Sequence, residues 1–154
     1  GVTNGTSDTT FSPWDNCTRG HVVTFLYRAM GCPEVTNKEN PFVDVTEDAF
    51  YYDAVLWAVE NGITDGTSAT TFDPAMECTR GQIVTFLYRN AGKPKVDTTA
   101  NPFTDVAADS YYLTSILWAV ENGITDGTSE TTFAPDVICN RGTAVTFLYR
   151  ALVK

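Results

Sequence analysis

This chain contains an internal repeat, which limits the folds that it can adopt. The phrase Thr-Thr-Phe-x-Pro occurs three times, and its phenylalanines, Phe11, Phe72 and Phe133, are each 61 residues apart. Residues around the phrase keep the same spacing without insertion or deletion: Gly5, Gly66 and Gly127; Cys17, Cys78 and Cys139; Arg19, Arg80 and Arg141; Arg28, Arg89 and Arg150. A period of this length is typical of repeat proteins, in which each unit buries its apolar face against its neighbours.

A second phrase shows where the units begin. Asn-Pro-Phe-x-Asp-Val occurs at 40–45 and at 101–106, again 61 residues apart, and occurs only twice. Residues 1–32 therefore read as the second half of a first unit, followed by complete units at 33–93 and 94–154. A chain of 154 residues with 43% hydrophobic content can bury one sizeable core, so we expect a single domain.

Each complete unit predicts a helix, a structured loop and a second helix. Apolar residues in 49–61 recur at helical spacing and cover most of the circumference, which predicts a core helix near the centre of the assembly. Gly62 stands where a helix takes a left-handed C-terminal cap. The loop at 63–74 is rich in Gly, Thr, Asp and Pro, which predicts turns, with Phe72 inserted into the core.

The second helix has a clear start signal. Thr79 and Gln82 have the spacing of a capping box, and Gly92 is placed to end the helix. In the last unit Asn140 replaces the threonine and is still a good N-cap, whereas Thr143 is a poor reciprocal cap.

Charge excludes two classes of partner. The formal net charge is −9, and no basic run occurs in the sequence. Such a field repels nucleic-acid backbones and anionic membranes. No apolar stretch approaches the ~20 residues of a membrane span, and no leader opens the chain, so we expect any targeting signal outside these residues.

These motifs resemble the S-layer homology family. The resemblance covers essentially the whole chain and depends on PFVDV and PFTDV, on WAVENGITDG twice, on TTFSP, TTFDP and TTFAP, and on CTRGH, CTRGQ and CNRGT. It implies a mainly α fold, a pseudo-threefold spindle of helix-loop-helix repeats with short extended stretches in the loops. In such a spindle the first helices of the units would form a central bundle.

The resemblance also implies a function. Family members bind pyruvylated secondary cell-wall polysaccharide or a related wall glycan in grooves between units. The chief ligand-contacting arginine of the family corresponds here to Arg19, Arg80 and Arg141. The sequence departs from the family motif at the next two positions: Ala is replaced by Gly20, Gly81 and Gly142, and Glu by His21, Gln82 and Thr143.

The chemistry of the arginines supports an anion site. A cation at the first position of a helix opposes the helix dipole, at a cost of up to about 1 kcal/mol. Backbone N–H groups at the helix start, beside a guanidinium, would suit a carboxylate such as that of ketal-linked pyruvate. Glycine at the next position would let a ligand approach the backbone. The alternative is that each arginine pairs with an acid of its own fold, such as Glu60, Glu121, Asp65 or Asp126.

Other residues have two interpretations each. Trp57 and Trp118 could offer an aromatic face to a sugar, or could pack in the core. Trp14 has no tryptophan at equivalent positions and is predicted at the surface. The Asp-Gly-Thr-Ser loops, with Asp65 and Asp126, lack a full calcium ligand set, so turns are predicted there and no metal or other cofactor.

The cysteines and the single histidine give little support for catalysis. Cys17, Cys78 and Cys139 are expected to be buried apolar thiols held far apart by the repeat, and Cys32 to be exposed. His21 with Cys17 could form a nucleophile pair, but the two residues straddle a helix cap.

We therefore expect a non-catalytic module that anchors a larger protein to an anionic wall glycan. It would be secreted, located at the bacterial cell surface and fused to an upstream surface protein or enzyme. The alternative is a structural or assembly module for protein association, including self-association.

Overall fold

A computed structural model describes residues 1–98 and 100–153, and the mainly α class is confirmed. The helices of these residues are α1 (Arg19–Ala29), α2 (Tyr52–Glu60), α3 (Arg80–Asn90), α4 (Leu113–Glu121) and α5 (Arg141–Leu152). In the described ranges, strand-like pairing consists of three isolated antiparallel bridges: Asn16 with Asn140, Thr18 with Glu77 and Thr79 with Ile138. None of the helices in the same ranges is long and apolar enough to cross a bilayer.

The predicted helix ends are confirmed. Thr79 and Gln82 form a reciprocal capping box at the start of α3, and Thr18 forms one with His21 at the start of α1. Asn140 caps α5 through its side-chain oxygen, which accepts from the Thr143 N–H. After α2, Gly62 has a φ of +64°, the left-handed conformation that glycine adopts without strain.

The prediction that the first helices of the units form the central bundle is wrong. The arginine-led helices α1, α3 and α5 contact one another, while α2 packs on α1 and α4 packs on α3. The apolar residues of α2 therefore pack against α1, where the Trp57 ring contacts Tyr27. A helix that is apolar on most sides can be covered away from the molecular centre as well as at it.

A ring of backbone hydrogen bonds explains why the arginine-led helices lie together. The Cys17 N–H donates to the Cys139 carbonyl (2.8 Å), the Cys78 N–H to Cys17 (2.8 Å) and the Cys139 N–H to Cys78 (2.9 Å). The chain segments before α1, α3 and α5 thus meet in a closed cycle. The expectation that these cysteines are far apart is wrong, because they belong to the segments that join the units.

The three cysteines of the ring are buried, and burial raises the pKa of each thiol, that of Cys17 to about 12 and that of Cys139 to about 11. At neutral pH these thiols are protonated, so they pack as small apolar groups, as expected. Cys32 is exposed, also as expected.

The loops carry out the predicted packing. Phe72 and Phe133 are fully buried, and the Asp-Gly-Thr-Ser segments form turns, with the Thr67 N–H donating to the Thr71 carbonyl at 2.8 Å. The Asp44 carboxylate accepts hydrogen bonds from the Phe72 and Asp73 N–H groups and holds this loop against its own unit. Trp14 is 84% exposed, which confirms its predicted surface position. The spindle shape with a pseudo-threefold axis and the unit boundaries stay predictions.

Candidate ligand grooves around the repeated arginines

Each repeated arginine occupies the first position of its helix and extends into the next unit of the cycle. The Arg19 Nε–H donates to the Phe72 carbonyl at 2.9 Å. Arg80 makes the equivalent bond to Phe133 (2.9 Å), and Arg141 makes it to Phe11 (3.0 Å). The last of these contacts joins the third unit to the first, so the arginines close the same cycle as the cysteines.

Aromatic rings on both sides fix the guanidinium groups. The Arg19 Cζ lies 4.7 Å from the ring centroid of Phe72 and 5.4 Å from that of Phe86. The Arg141 Cζ lies 5.0 Å from Phe11 and 5.3 Å from Phe25. Arg80 lies in the same way between Phe133 and Phe147, at 4.8 and 5.2 Å. Stacking of this kind suits the flat guanidinium and not the compact ammonium of lysine.

Within the part of the chain that is described, none of the three arginines forms a salt bridge. The ion pairs found there join Arg89 to Asp65 at 3.4 Å and Lys95 to Asp97 at 3.0 Å. The Glu60 carboxylate accepts instead from Thr36 and Asn37. The predicted alternative, direct pairing of these arginines with acids of their own fold, is therefore not found among the described residues, although the charges of Asp44 and Asp73 act on Arg19 from a longer distance.

Two of these unpaired cations are almost completely buried. Arg19 is 4% exposed and Arg141 3%, whereas Arg80 is half-buried. Nη2 of Arg19 is a buried donor for which no acceptor occurs among the described residues. Burial lowers the pKa of Arg19 and of Arg80 from the usual arginine value. A guanidinium nevertheless stays charged at neutral pH in proteins.

A groove opens in front of Arg19 and another in front of Arg141. The Arg19 groove has a volume of about 240 Å³, and its walls include Arg19, Thr64, Thr67, Gln82, Arg89 and Tyr111. The Arg141 groove has a volume of about 380 Å³, and the residues at equivalent repeat positions form its walls: Arg141, Thr3, Thr6, His21, Arg28 and Phe50. Each groove is built by all three units, since its two arginines and its exposed aromatic residue come from different ones.

The expectation that backbone N–H groups at the helix start face a ligand is wrong. The Arg19 N–H donates to the Met76 carbonyl and the Gly20 N–H to the Pro74 carbonyl, both at 2.9 Å. The same pairs occur at Arg80–Gly81 and Arg141–Gly142. Loop carbonyls of the next unit therefore occupy these donors.

The glycines after the arginines serve this contact between units. A Cβ on Gly20 would lie 3.0 Å from the Tyr51 ring and 3.1 Å from the Pro74 carbonyl oxygen, and one on Gly81 would meet Tyr112 and Pro135 in the same way. Their small size lets a neighbouring loop approach the helix. A direct role of Gly20, Gly81 and Gly142 in ligand binding stays an untested prediction.

The tryptophans lie in the core. Trp57 is 4% exposed and packs on Tyr27 with ring centroids 5.5 Å apart, and Trp118 is 6% exposed and packs on Tyr88 at 5.7 Å. These surroundings support the packing interpretation over sugar stacking. Exposed aromatic surface in the grooves comes from other residues, Phe50 (59% exposed) and Tyr111 (66%).

Sequence reasoning missed most of the wall residues, among them Arg28, Arg89, Phe50 and Tyr111. The exact 61-residue spacing of Arg28 and Arg89 could have indicated them, because an arginine that recurs at the same helix position in each unit suggests a common role. The two aromatic residues differ in type and gave no such signal. His21 lines the Arg141 groove, where burial and the nearby Arg141 charge lower its pKa. Within the described ranges, no group of histidine, cysteine or acidic side chains is arranged to hold a metal ion.

Comparison with known proteins identifies the family. The model of the S-layer homology domain matches residues 1–23, 41–84 and 102–145. These ranges are parts of the three units, and together they include Arg19, Arg80 and Arg141. The chain therefore belongs to the S-layer homology domain family.

Similar proteins are much longer than this chain. It is 34% identical over 128 residues to the surface-layer 125 kDa protein of Lysinibacillus sphaericus, a match that covers 82% of the chain and 11% of that protein. It is 30% identical over 116 residues to a cell surface protein of Thermoanaerobacter kivui, covering 73% and 15%. It is 38% identical over 88 residues to an endoglucanase of Bacillus sp. (strain KSM-635), covering 57% and 9%. The matched region is thus a small part of each relative.

Proposed function

We propose that this domain is a non-catalytic anchor, which attaches the protein that carries it to the bacterial cell wall by binding an anionic, pyruvylated polysaccharide. The Arg19 and Arg141 grooves are the binding sites. The observation that carries the proposal is a pair of guanidinium groups that are buried, have no carboxylate partner in the described residues and face an open groove.

The free energy of the buried charges favours an anionic ligand. Burying an unpaired cation costs several kcal/mol, and a carboxylate with good hydrogen-bond geometry offsets that cost. In Arg19, Nε is bound to the Phe72 carbonyl while Nη2 lacks an acceptor in the described chain. The carboxylate of a ketal-linked pyruvate is small, rigidly held on its sugar and suited to pairing with a guanidinium group.

The acidic character of the whole chain does not prevent this binding. The net charge is −9, but each groove brings two arginines together, Arg19 with Arg89, which also pairs with Asp65, and Arg141 with Arg28. At physiological ionic strength the screening length is about 8 Å, so acids elsewhere on the surface act weakly on a carboxylate inside the groove.

The rest of each groove suits a sugar. Thr64, Thr67 and Gln82 supply polar groups beside Arg19, and the exposed ring of Tyr111 supplies an apolar face. A few polar groups beside apolar surface are the usual composition of a small-ligand site. We assign the sugar-facing aromatic role to Tyr111 and Phe50.

The names of the relatives support a location at the cell surface. Two relatives are a surface-layer protein and a cell surface protein, and the third is an endoglucanase that this chain matches over only 9% of its length. These names fit a secreted module that is joined to different larger proteins, with any catalytic activity in other parts of those proteins.

Calorimetric titration with a synthetic pyruvylated amino sugar tests the proposal. We expect binding of the acid and at least a tenfold loss of affinity for its methyl ester, which removes the charge. The double variant Arg19→Ala, Arg141→Ala should bind about 30-fold more weakly or worse, as expected for a desolvated charge pair that loses one partner.

The matched control is Arg150→Ala, which removes an arginine at the position equivalent to Arg28 and Arg89 but outside both grooves. It should bind as the unmodified chain does, and circular dichroism should show that all variants are folded. Equal binding of acid and ester, or full retention of wall binding by the double variant, would contradict the proposal.

A further inference from the structure

The Arg19 and Arg141 grooves are built from equivalent repeat positions, so their walls can be compared residue by residue. Each contains the arginine of a helix start and a second arginine from another unit, Arg89 beside Arg19 and Arg28 beside Arg141. The glycine and the threonines of the walls are the same in both. Positions that differ in charge all make the Arg141 groove less negative than the Arg19 groove.

The second arginines of the two grooves differ in their pairing. The Arg89 Nη1 lies 3.4 Å from the Asp65 Oδ2. The residue equivalent to Asp65 is Asn4, which lines the Arg141 groove and has no charge. Arg28 forms no salt bridge with any residue that the structure describes. The Arg141 groove thus contains a second, half-buried cation that is free to pair with a ligand.

The first arginines also differ in the acids near them. Beside Arg19, the residue after the carbonyl that accepts from the guanidinium is Asp73, and the charge of this residue acts on Arg19. Beside Arg141, the residue at the equivalent place is Ser12. The Ser12 hydroxyl lies 2.6 Å from that of Thr6 and so keeps the contact that Asp73 makes with the threonine of its own loop. The Arg141 groove keeps this loop contact without the carboxylate.

The other wall differences add no fixed charge. His21 replaces Gln82, and burial and the Arg141 charge lower the pKa of the histidine from its usual value, so that its ring is neutral at about pH 7.5. Phe50 replaces Tyr111, and both rings are exposed. At this pH the two grooves therefore differ in charge through the acids that act on the arginines of the Arg19 groove.

We propose that the Arg141 groove selects a glycan unit with a second anionic group besides the pyruvate carboxylate, and that Arg28 binds this second group. The Arg19 groove takes the singly charged unit, because Asp65 already pairs with Arg89 and repels a further anion. A phosphate and a carboxylate both accept two parallel hydrogen bonds from a guanidinium, so either chemistry suits Arg28. This inference rests on the proposed function and adds which ligand charge each groove selects.

Proton NMR of a histidine ring can report on one groove at a time. His21 is the only histidine of the chain and lines the Arg141 groove. The double variant His21→Gln, Gln82→His moves this reporter to the Arg19 groove. Histidine and glutamine already form the same capping box on α1 and α3, so the exchange keeps both helix starts. Titrations at about pH 7.5 then give the affinity of each groove with every arginine in place.

The probes are synthetic sugars of different charge. A pyruvylated amino sugar as its methyl glycoside has one carboxylate, its glycosyl phosphate adds a phosphate, and its disaccharide with a uronic acid adds a second carboxylate. The disaccharide with a neutral hexose controls for size. We expect the Arg141 groove to bind at least one doubly charged probe about tenfold more tightly than its singly charged counterpart, and the Arg19 groove to bind them within about threefold of each other. The phosphate and uronate probes separate the two sources of the second charge.

Exchange of one acid for its amide should exchange the preference. Asn4→Asp should reduce the preference of the Arg141 groove to about threefold or less, and Asp65→Asn in the double variant should give the Arg19 groove a preference of about tenfold. Both positions are exposed, so neither change disturbs the core. The matched control is Asp126→Asn, the same change at the equivalent position outside both grooves, which should alter neither preference.

Failure of this inference can be told apart from failure of the proposed function. If the probes bind but both grooves show the same preference, or if Asn4→Asp leaves the preference of the Arg141 groove unchanged, the assigned selectivity is overturned while the anchoring function stands. If no probe shifts the histidine signals of either chain, the proposed function fails and this inference fails with it.

Discussion

The helices α3 and α5 share most of their sequence, but equivalent residues on them differ in burial. Both contain Arg-Gly, then Val-Thr-Phe-Leu-Tyr-Arg, but Val84 and Thr85 are buried in α3, whereas Val145 is half-buried and Thr146 exposed in α5. The difference arises from α4, which packs on α3 and has no counterpart on α5 in the described residues. Whether a residue of these helices is buried thus depends on contact with a neighbouring unit. The sequence of one unit specifies only which of its faces is apolar.

The largest expected effect comes from removing the Trp118 side chain, which packs on α3. Trp118→Ala should lower the free energy of unfolding by about 3–5 kcal/mol, because it leaves a cavity between α4 and Tyr88. Tyr149→Ala should change it by no more than about 0.5 kcal/mol, since that side chain is 65% exposed. Urea unfolding measures both, and similar losses for the two variants would show that the α5 face is covered in solution.

A smaller difference in stability is expected between alanine variants of the glycines at the helix starts. Gly81→Ala should cost about 1–3 kcal/mol, because the added Cβ would lie 3.0 Å from the Tyr112 ring and 3.2 Å from the Pro135 carbonyl. At Gly142 the three atoms nearest to an added Cβ belong to Pro13 and Asn140, and alanine favours the helix by up to about 1 kcal/mol relative to glycine.

Gly142→Ala should therefore be close to neutral, although the Pro13 carbonyl oxygen would lie 3.2 Å from its Cβ. The two variants are compared by their midpoints of urea unfolding. Equal destabilisation would mean that contact with the loop carbonyl, and not the aromatic ring, sets the requirement for glycine.

Local signals in the sequence predicted local structure well. The capping box of Thr79 and Gln82, the turn at Gly62 and the burial of Phe72 each depend on residues within a few positions of one another. The same holds for the mainly α class, which follows from helical periodicity. A repeat with an exact register also predicted that the arginines have one common role.

Contacts between units could not be predicted in this way. The carbonyls that occupy the N–H groups of Arg19 and Gly20 belong to residues more than 50 positions away, and periodicity contains no information about them. The ring of hydrogen bonds among the three cysteines and the mutual contact of α1, α3 and α5 also join residues that are far apart in the sequence. Identification of Tyr111 as a groove wall required the fold as well, since that residue belongs to a third unit.

The smallest expected effect is a pH dependence of stability that only the Arg141 groove should contribute. His21 in the Arg141 groove takes the place of Gln82 in the Arg19 groove, so only the former has a group that titrates near neutral pH. Burial, and after it the Arg141 charge, lowers the pKa of His21 in the folded chain from its usual value near 6.5. The unfolded chain then binds more protons, and stability should decrease slightly as the pH falls through and below that value.

Bound carboxylate should reverse part of this shift, because a negative charge near the ring favours the imidazolium form. Proton NMR of the single histidine measures its pKa, which we expect below 6.5 without ligand and higher with the pyruvylated sugar. His21→Gln, which copies the other groove, should remove the pH dependence of stability in this range and keep the capping interaction with Thr18. A histidine pKa that does not respond to the sugar would mean that the carboxylate does not bind beside Arg141, and the comparison of the two grooves would then leave only the Arg19 groove as a binding site.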